Sequence, residues 1–242
     1  MSDLIAQVGS KVSALTEEFN VIAHNLANVS TVGYKRMYHT FSKSLMPEEG
    51  QMTSASDEVD LNTILDFSQG EFVQTGHRLD FALGGKGFFV VETPDGPLYT
   101  RNGTFRLNKN NQIVDSTGRI VAGQSGPITI PPNVGALQIS VSSDGTIAAG
   151  DSAVGKFKLV DFKDNEKQLL AAGMNSFVAP ADVKPVNAEN LIVKQGFQES
   201  SNVRMIEELV DMMLVSKLYE ANMKFVTAKM TTTNSIIGVA NA

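Results

Sequence analysis

Hydrophobic positions near the N-terminal end fall at Ile5, Val8, Val12, Leu15, Phe19, Ile22 and Leu26, in alternating steps of three and four. This spacing places one narrow apolar seam along a helix and predicts a partner helix against it. Ser2 or Asp3 is suited to cap its start, and the Val32-Gly33 step to end it. The far end of the chain has a similar pattern. Val203, Ile206, Val210, Leu214, Leu218, Ala221, Phe225 and Ala228 form a second seam, with a run of fours that locally unwinds a supercoil. Ser201-Asn202 precedes it, Glu207 and Glu208 suit the positive end of a helix dipole, and Gly238 is the expected stop.

Between the two helices the period changes. Short β-prone runs (Phe88 to Val91, Leu98 to Thr100, Phe105 to Leu107, Gln112 to Val114, Arg119 to Val121) alternate with turn signals at Pro94-Asp95-Gly96, Asn102-Gly103, Asn110-Asn111 and Thr117-Gly118. Leu137 to Val141, Thr146 to Ala148 and Lys156 to Phe162 continue the pattern past the Asp144-Gly145 turn. The expected architecture is α+β. Long N- and C-terminal helices pair as an α-helical coiled-coil domain, and the antiparallel all-β central domain closes on itself or packs as a sandwich. The expected boundaries are 1–41 for the first helix, 42–70 for a polar, extended connector, 71–199 for the β-domain and 200–242 for the second helix.

Composition narrows the function. With 20 basic and 26 acidic side chains the net charge is −6, which argues against a basic nucleic-acid-binding surface. There is no cysteine, hence no disulfide, thiolate metal site or cysteine nucleophile. No apolar run is long enough to span a bilayer, and no secretory signal is expected from the first residues.

Candidate chemistry is sparse. Gly84-Gly85-Lys86-Gly87 lacks the spacing of a phosphate loop and leads into a strand, so a tight turn is expected. His24, His39 and His77 have no metal-ligand spacing, and Asp57-Glu58-Asp60 lacks that of a calcium loop. Ser30-Thr31, Ser200-Ser201 and Thr231-Thr232-Thr233 have no recognisable base beside them. No catalytic, cofactor-binding or metal residue is assigned, and no cofactor is expected. Met205, Met212, Met213, Met223 and Met230 suit either core filling or an adaptable packing surface.

Three segments carry a resemblance. They are Asn25-Leu26-Ala27-Asn28-Val29-Ser30-Thr31-Val32-Gly33-Tyr34-Lys35-Arg36; the stretch from Gln74-Thr75-Gly76 to Gly87-Phe88-Phe89 with Tyr99-Thr100-Arg101-Asn102-Gly103-Thr104-Phe105; and Glu199-Ser200-Ser201-Asn202-Val203 with Glu207-Glu208-Leu209-Val210 and Tyr219-Glu220-Ala221-Asn222. In order and spacing they resemble the axial rod and hook proteins of the bacterial flagellar basal body. Within that family the chain is most similar to the proximal-rod subunit of the F type, with distal-rod or hook-type axial subunits next. It departs from the family pattern at His24 and His77-Arg78, away from the seams.

The resemblance implies a non-enzymatic structural subunit of the periplasmic rod, exported unfolded through the flagellar type III apparatus without a cleaved signal. It implies a helical assembly with copies of itself and other rod subunits, without nucleic acid or membrane insertion. The terminal helices would form its inner layer. The expected assembly interface is the two seams with Asn28 and Gly33, where Gly33 permits the chain to leave the helix. Gly33→Val is accordingly expected to impair assembly and leave the β-domain's melting unchanged. A β-sheet ligand-binding module is the remaining alternative, and the sequence names no residues for its site.

Overall fold

The structure, a computed structural model, describes residues 2–42 and 60–240. The chain divides into two compact units. One comprises residues 1–27, 37–64 and 204–242, the other residues 28–36 and 65–203.

The helical unit contains α1 (Ser2–Ala27), α2 (Met205–Ala240) and a two-stranded sheet of Met37–Ser42 with Asp60–Leu65. α1 stops before the expected Val32-Gly33 step. The poor helix formers Val29-Ser30-Thr31 follow it, and Asn28 closes a turn through bonds from the Thr31 amide (3.0 Å) and the Thr31 hydroxyl (3.1 Å). α2 runs through Gly238, because one glycine in a helix costs only about 1 kcal/mol against alanine. Much of the expected connector, residues 43–59, lies outside the described residues; Asp60–Leu65 within it is a strand.

The expected coiled coil is not formed. α1 and α2 lie in one unit, yet the predicted α2 seam does not face α1: Ile206, Val210, Leu214, Leu218 and Phe225 are all exposed. The protected face of α2 instead carries Glu208 and Val215, with Asp211, Met212, Asn222 and Val226 half-buried, roughly a third of a turn round the helix. The physical reason is that α2 has apolar residues on every side, so spacing alone does not select the buried face.

The β unit is built from antiparallel pairs. Its main sheet runs in the order Leu170–Ala171, Ser176–Val178, Gly96–Thr100, Phe88–Thr93, Ile120–Gly123, Ile113–Val114, Arg106–Leu107. Leu159–Asp161 also pairs with Phe88–Thr93. A three-stranded sheet (Ile139–Val141, Thr146–Ala149, Ser152–Lys156) and two ribbons, Ile192–Gln195 on Phe81–Gly84 and Phe197–Glu199 on Phe72–Gln74, complete it. Phe88 and Phe89 point to opposite faces of their strand, and both are fully buried. Phe89 packs edge-on against Phe105 and Phe157, with ring centroids 5.1 and 5.4 Å apart. Phe88 meets Phe67 and Phe162 at 5.3 and 5.7 Å. The sheet is therefore covered on both sides. Gly85 to Gly87 is a bend that carries the chain from the Phe81–Gly84 ribbon into the Phe88 strand, in place of the expected tight turn.

Candidate functional site

Within the β unit three charges meet in the interior. Lys35 Nζ lies 2.7 Å from Glu199 Oε1, and Arg101 Nη1 lies 3.5 Å from Glu199 Oε2. The Lys35 and Glu199 side chains are completely buried and that of Arg101 nearly so. Backbone groups satisfy much of the remaining capacity. Lys35 donates to Ser68 O (2.6 Å), Gly70 N–H donates to Glu199 Oε1 (3.1 Å), and Arg101 donates to Leu83 O (3.2 Å) and Gly85 O (2.7 Å). Burial pushes the Lys35 ammonium below its ordinary pKa, against the opposing pull of Glu199, and burial likewise lowers Arg101. Charges held this way have no route to substrate, and breaking such a pair typically costs about 3–5 kcal/mol. They act as a structural lock.

Neighbouring contacts tighten it. Gly33 has φ +70°, and its amide donates to Glu199 O at 2.7 Å. A Cβ there would stand 2.5 Å from Asn102 N and 2.8 Å from Arg101 C. The Asn202 side chain accepts from Arg36 N–H (2.7 Å) and donates to Asp66 O (2.8 Å). Gly33 thus belongs to the β unit's own packing, which corrects the expectation that a valine there would leave that unit untouched.

The helical unit has a smaller polar clasp. Asn25 Nδ2 donates to Met37 O (2.8 Å) and its Oδ1 accepts Met37 N–H (2.9 Å), so the amide continues the chain's hydrogen bonding across the end of α1. The same Nδ2 reaches Glu208 Oε2 of α2 at 3.2 Å, and both residues are buried. Leu15, Thr16 and Phe19 of α1 and Val215, Ser216 and Tyr219 of α2 line a groove of about 290 Å³. Its walls are mainly apolar, with only two hydroxyl side chains and the tyrosine to orient a ligand.

The expected interface residues separate into groups. Val8 and Ile22 are buried, Val12, Leu15 and Leu26 are half-buried, and Phe19 is 38% exposed. The Ile5 side chain lies outside the described residues. Val203, Asn28 and Gly33 belong to the β unit, where Val203 is buried. Ile206, Val210, Leu214, Leu218, Ala221, Phe225 and Ala228 are exposed along α2. Of the histidines, His24 and His77 are exposed, and His39 Nδ1 meets Thr63 Oγ1 at 3.3 Å. Sequence reasoning missed Asn25, Lys35, Arg101, Glu199, Asn202 and Glu208 as structural residues. Their one available signal was position: each lies inside or beside a quoted motif.

A chain whose interior charges are structural, and whose longest helix is apolar on its outer faces, has the make-up of an assembly subunit. Comparison with known proteins agrees. Residues 12–35 match the family model described as flagella basal body rod protein. Residues 82–149 match the flagellar hook protein FlgE/F/G D1 domain, and residues 194–237 the flagellar basal body rod FlgEFG protein C-terminal. The flagellar basal-body rod protein FlgG of Buchnera aphidicola subsp. Schizaphis graminum is 33% identical over 85% of this chain and 87% of its own length. The rod protein FlgF of Salmonella typhimurium is 32% identical over 86% of each chain, and FlgF of Mesorhizobium japonicum 30% over 91% and 90%. The chain belongs to the flagellar basal-body rod protein family. The lock draws Lys35 from the first matched segment, Arg101 from the second and Glu199 from the third.

Proposed function

We propose that this protein is a structural subunit of the proximal flagellar rod, of the F type, joined through α2 to other rod subunits and to copies of itself. One observation carries the assembly role. α2 presents Ile206, Val210, Leu214, Leu218 and Phe225 to solvent, a run of large apolar side chains along one side of the helix. The F type is favoured over the G type by the direct run from Val186 through Gln195-Gly196-Phe197 into α2, since identity to the two kinds of relative is nearly equal. In this reading the chain reaches the periplasm through the flagellar type III apparatus without a cleaved signal, and it performs no catalysis.

The test combines deletion with the double variant Leu214→Glu/Leu218→Glu. Basal bodies isolated from the parent strain should contain the subunit. Deletion should abolish motility, and the double variant should be secreted and folded yet absent from basal bodies. Complete rods in the deletion strain would overturn the assignment. Arrest of the rod at its outer rather than inner end would replace the F type by the distal one.

A further inference from the structure

α2 carries two seams, and the chain turns the less apolar one inward. The inward seam has Glu208, Val215 and Asn222 at intervals of seven, flanked by Met212, Tyr219 and Val226 at the same interval. Glu208 and Val215 are buried, and Met212, Asn222 and Val226 half-buried. The outward seam, Ile206, Val210, Leu214, Leu218 and Phe225, is apolar throughout, and Leu214 is 57% exposed against 8% for Val215. Turning α2 about its axis by one residue, about 100°, exchanges the two.

Hydrophobic burial alone favours the outward seam. Nor does close packing hold the inward one. Where Leu15 and Phe19 of α1 meet Val215 and Tyr219, a groove of about 290 Å³ remains, and Phe19 and Tyr219 stay exposed. What distinguishes the inward seam is its polar start. Glu208 Oε2 accepts from Asn25 Nδ2 at 3.2 Å, and both residues are sealed from solvent. The Asn25 amide is itself fixed by its two bonds to Met37, at 2.8 and 2.9 Å. A rotated α2 would carry the carboxylate away from that amide and leave a buried donor without this acceptor. A polar residue at a buried seam position specifies one alignment at a cost in stability.

We infer that Glu208, held through Asn25, is a positioning residue that selects which seam of α2 faces α1. It does so at the expense of apolar burial, and it keeps the Leu214/Leu218/Phe225 side outward. The choice is made within one chain, so it holds whether or not copies assemble.

The chain has no cysteine, so single thiols report the choice cleanly. Leu214→Cys and Val215→Cys are labelled with a maleimide in the full chain, at dilutions where sedimentation shows monomer. The Leu214→Cys thiol should react about tenfold faster than the Val215→Cys thiol, since access governs the rate. Adding Glu208→Leu should reverse the order, with helix content by circular dichroism unchanged. Glu208→Gln, which keeps an acceptor for Asn25, should retain the wild-type order. In the Glu208→Leu background, Leu218→Ser/Phe225→Ser should restore that order by weakening the competing seam. The wild-type order persisting in Glu208→Leu overturns the inference, because packing would then select the face unaided. Reversal in Glu208→Gln also overturns it, since the hydrogen bond would not be what selects. Loss of helix in Glu208→Leu makes Glu208 a requirement for folding rather than for the choice of face, and overturns it equally.

Discussion

In the β unit Phe81, Phe89 and Phe157 have no exposed surface at all, whereas on α2 Ile206, Met213 and Leu214 are each more than half exposed. Burying a side chain of this size is worth about 1.5–3 kcal/mol. The β unit has realised that gain within one chain, and α2 holds much of it unspent. The same contrast holds for charge. Lys35, Arg101 and Glu199 are sealed in the interior, while Arg204, just before α2, and Glu207, Lys217 and Lys224 on it are more than half exposed. One unit closes its apolar faces within the chain, and the other leaves those of α2 open.

The largest effect should come from opening the lock. Glu199→Gln leaves Lys35 and Arg101 buried without their carboxylate, so the β unit should lose about 3–5 kcal/mol, read from denaturant unfolding of the purified chain. An unchanged midpoint would mean the three charges are not coupled. Next comes Gly33→Val, which forces a β-branched residue to φ +70° against the Asn102 backbone. The expected loss is about 1–3 kcal/mol, seen as a lower melting temperature of the β unit itself.

A pH-dependent effect follows. Burial pushes the Asp115 carboxyl up, but hydrogen bonds from Thr117 and Arg119 outweigh it and hold the pKa below its ordinary 3.8. Its contribution is therefore complete above that value and is lost as pH falls through the folded one. Asp115→Asn should flatten the acid limb of stability below about pH 4, leaving a residual slope from other carboxylates. The smallest change in the isolated chain is expected for Leu218→Ala on the open face, within about 0.5 kcal/mol of wild type by thermal melting. That near-silence, set beside loss of the variant from basal bodies, would sharpen the contrast between the units most.

The β centre was legible because its signals are local. Asp95-Gly96 and Asp144-Gly145 name their turns within two residues, and Gly96 (φ +124°) and Gly145 (φ +86°) use the freedom that glycine alone has. Helices at both ends were legible from the same short-range spacing. Which face of α2 lies inward was not, because Leu209, Leu214 and Val215 are similar in kind and point in different directions. Selecting Val215 took the Asn25–Glu208 bond, whose partners stand 183 residues apart. The lock was hidden for the same reason. Lys35 and Glu199 are separated by 164 residues and Arg101 and Glu199 by 98, distances at which periodicity carries no information. The family motifs contained all three residues without showing that they meet.

That separation fixes an order of events in time. Gly33, Lys35 and Arg101 are made early, but the carboxylate and carbonyl that bind them belong to Glu199. A chain growing from its N-terminus lacks the closing piece until Glu199 has been made, and long-range closure of this kind is intrinsically slow. Fragments ending before residue 199 would carry buried-type cations with no counterion and should remain open to proteases. The lock thus sets an order of folding: the β unit closes only once the Glu199 strand has been made, and α2 follows it in the chain.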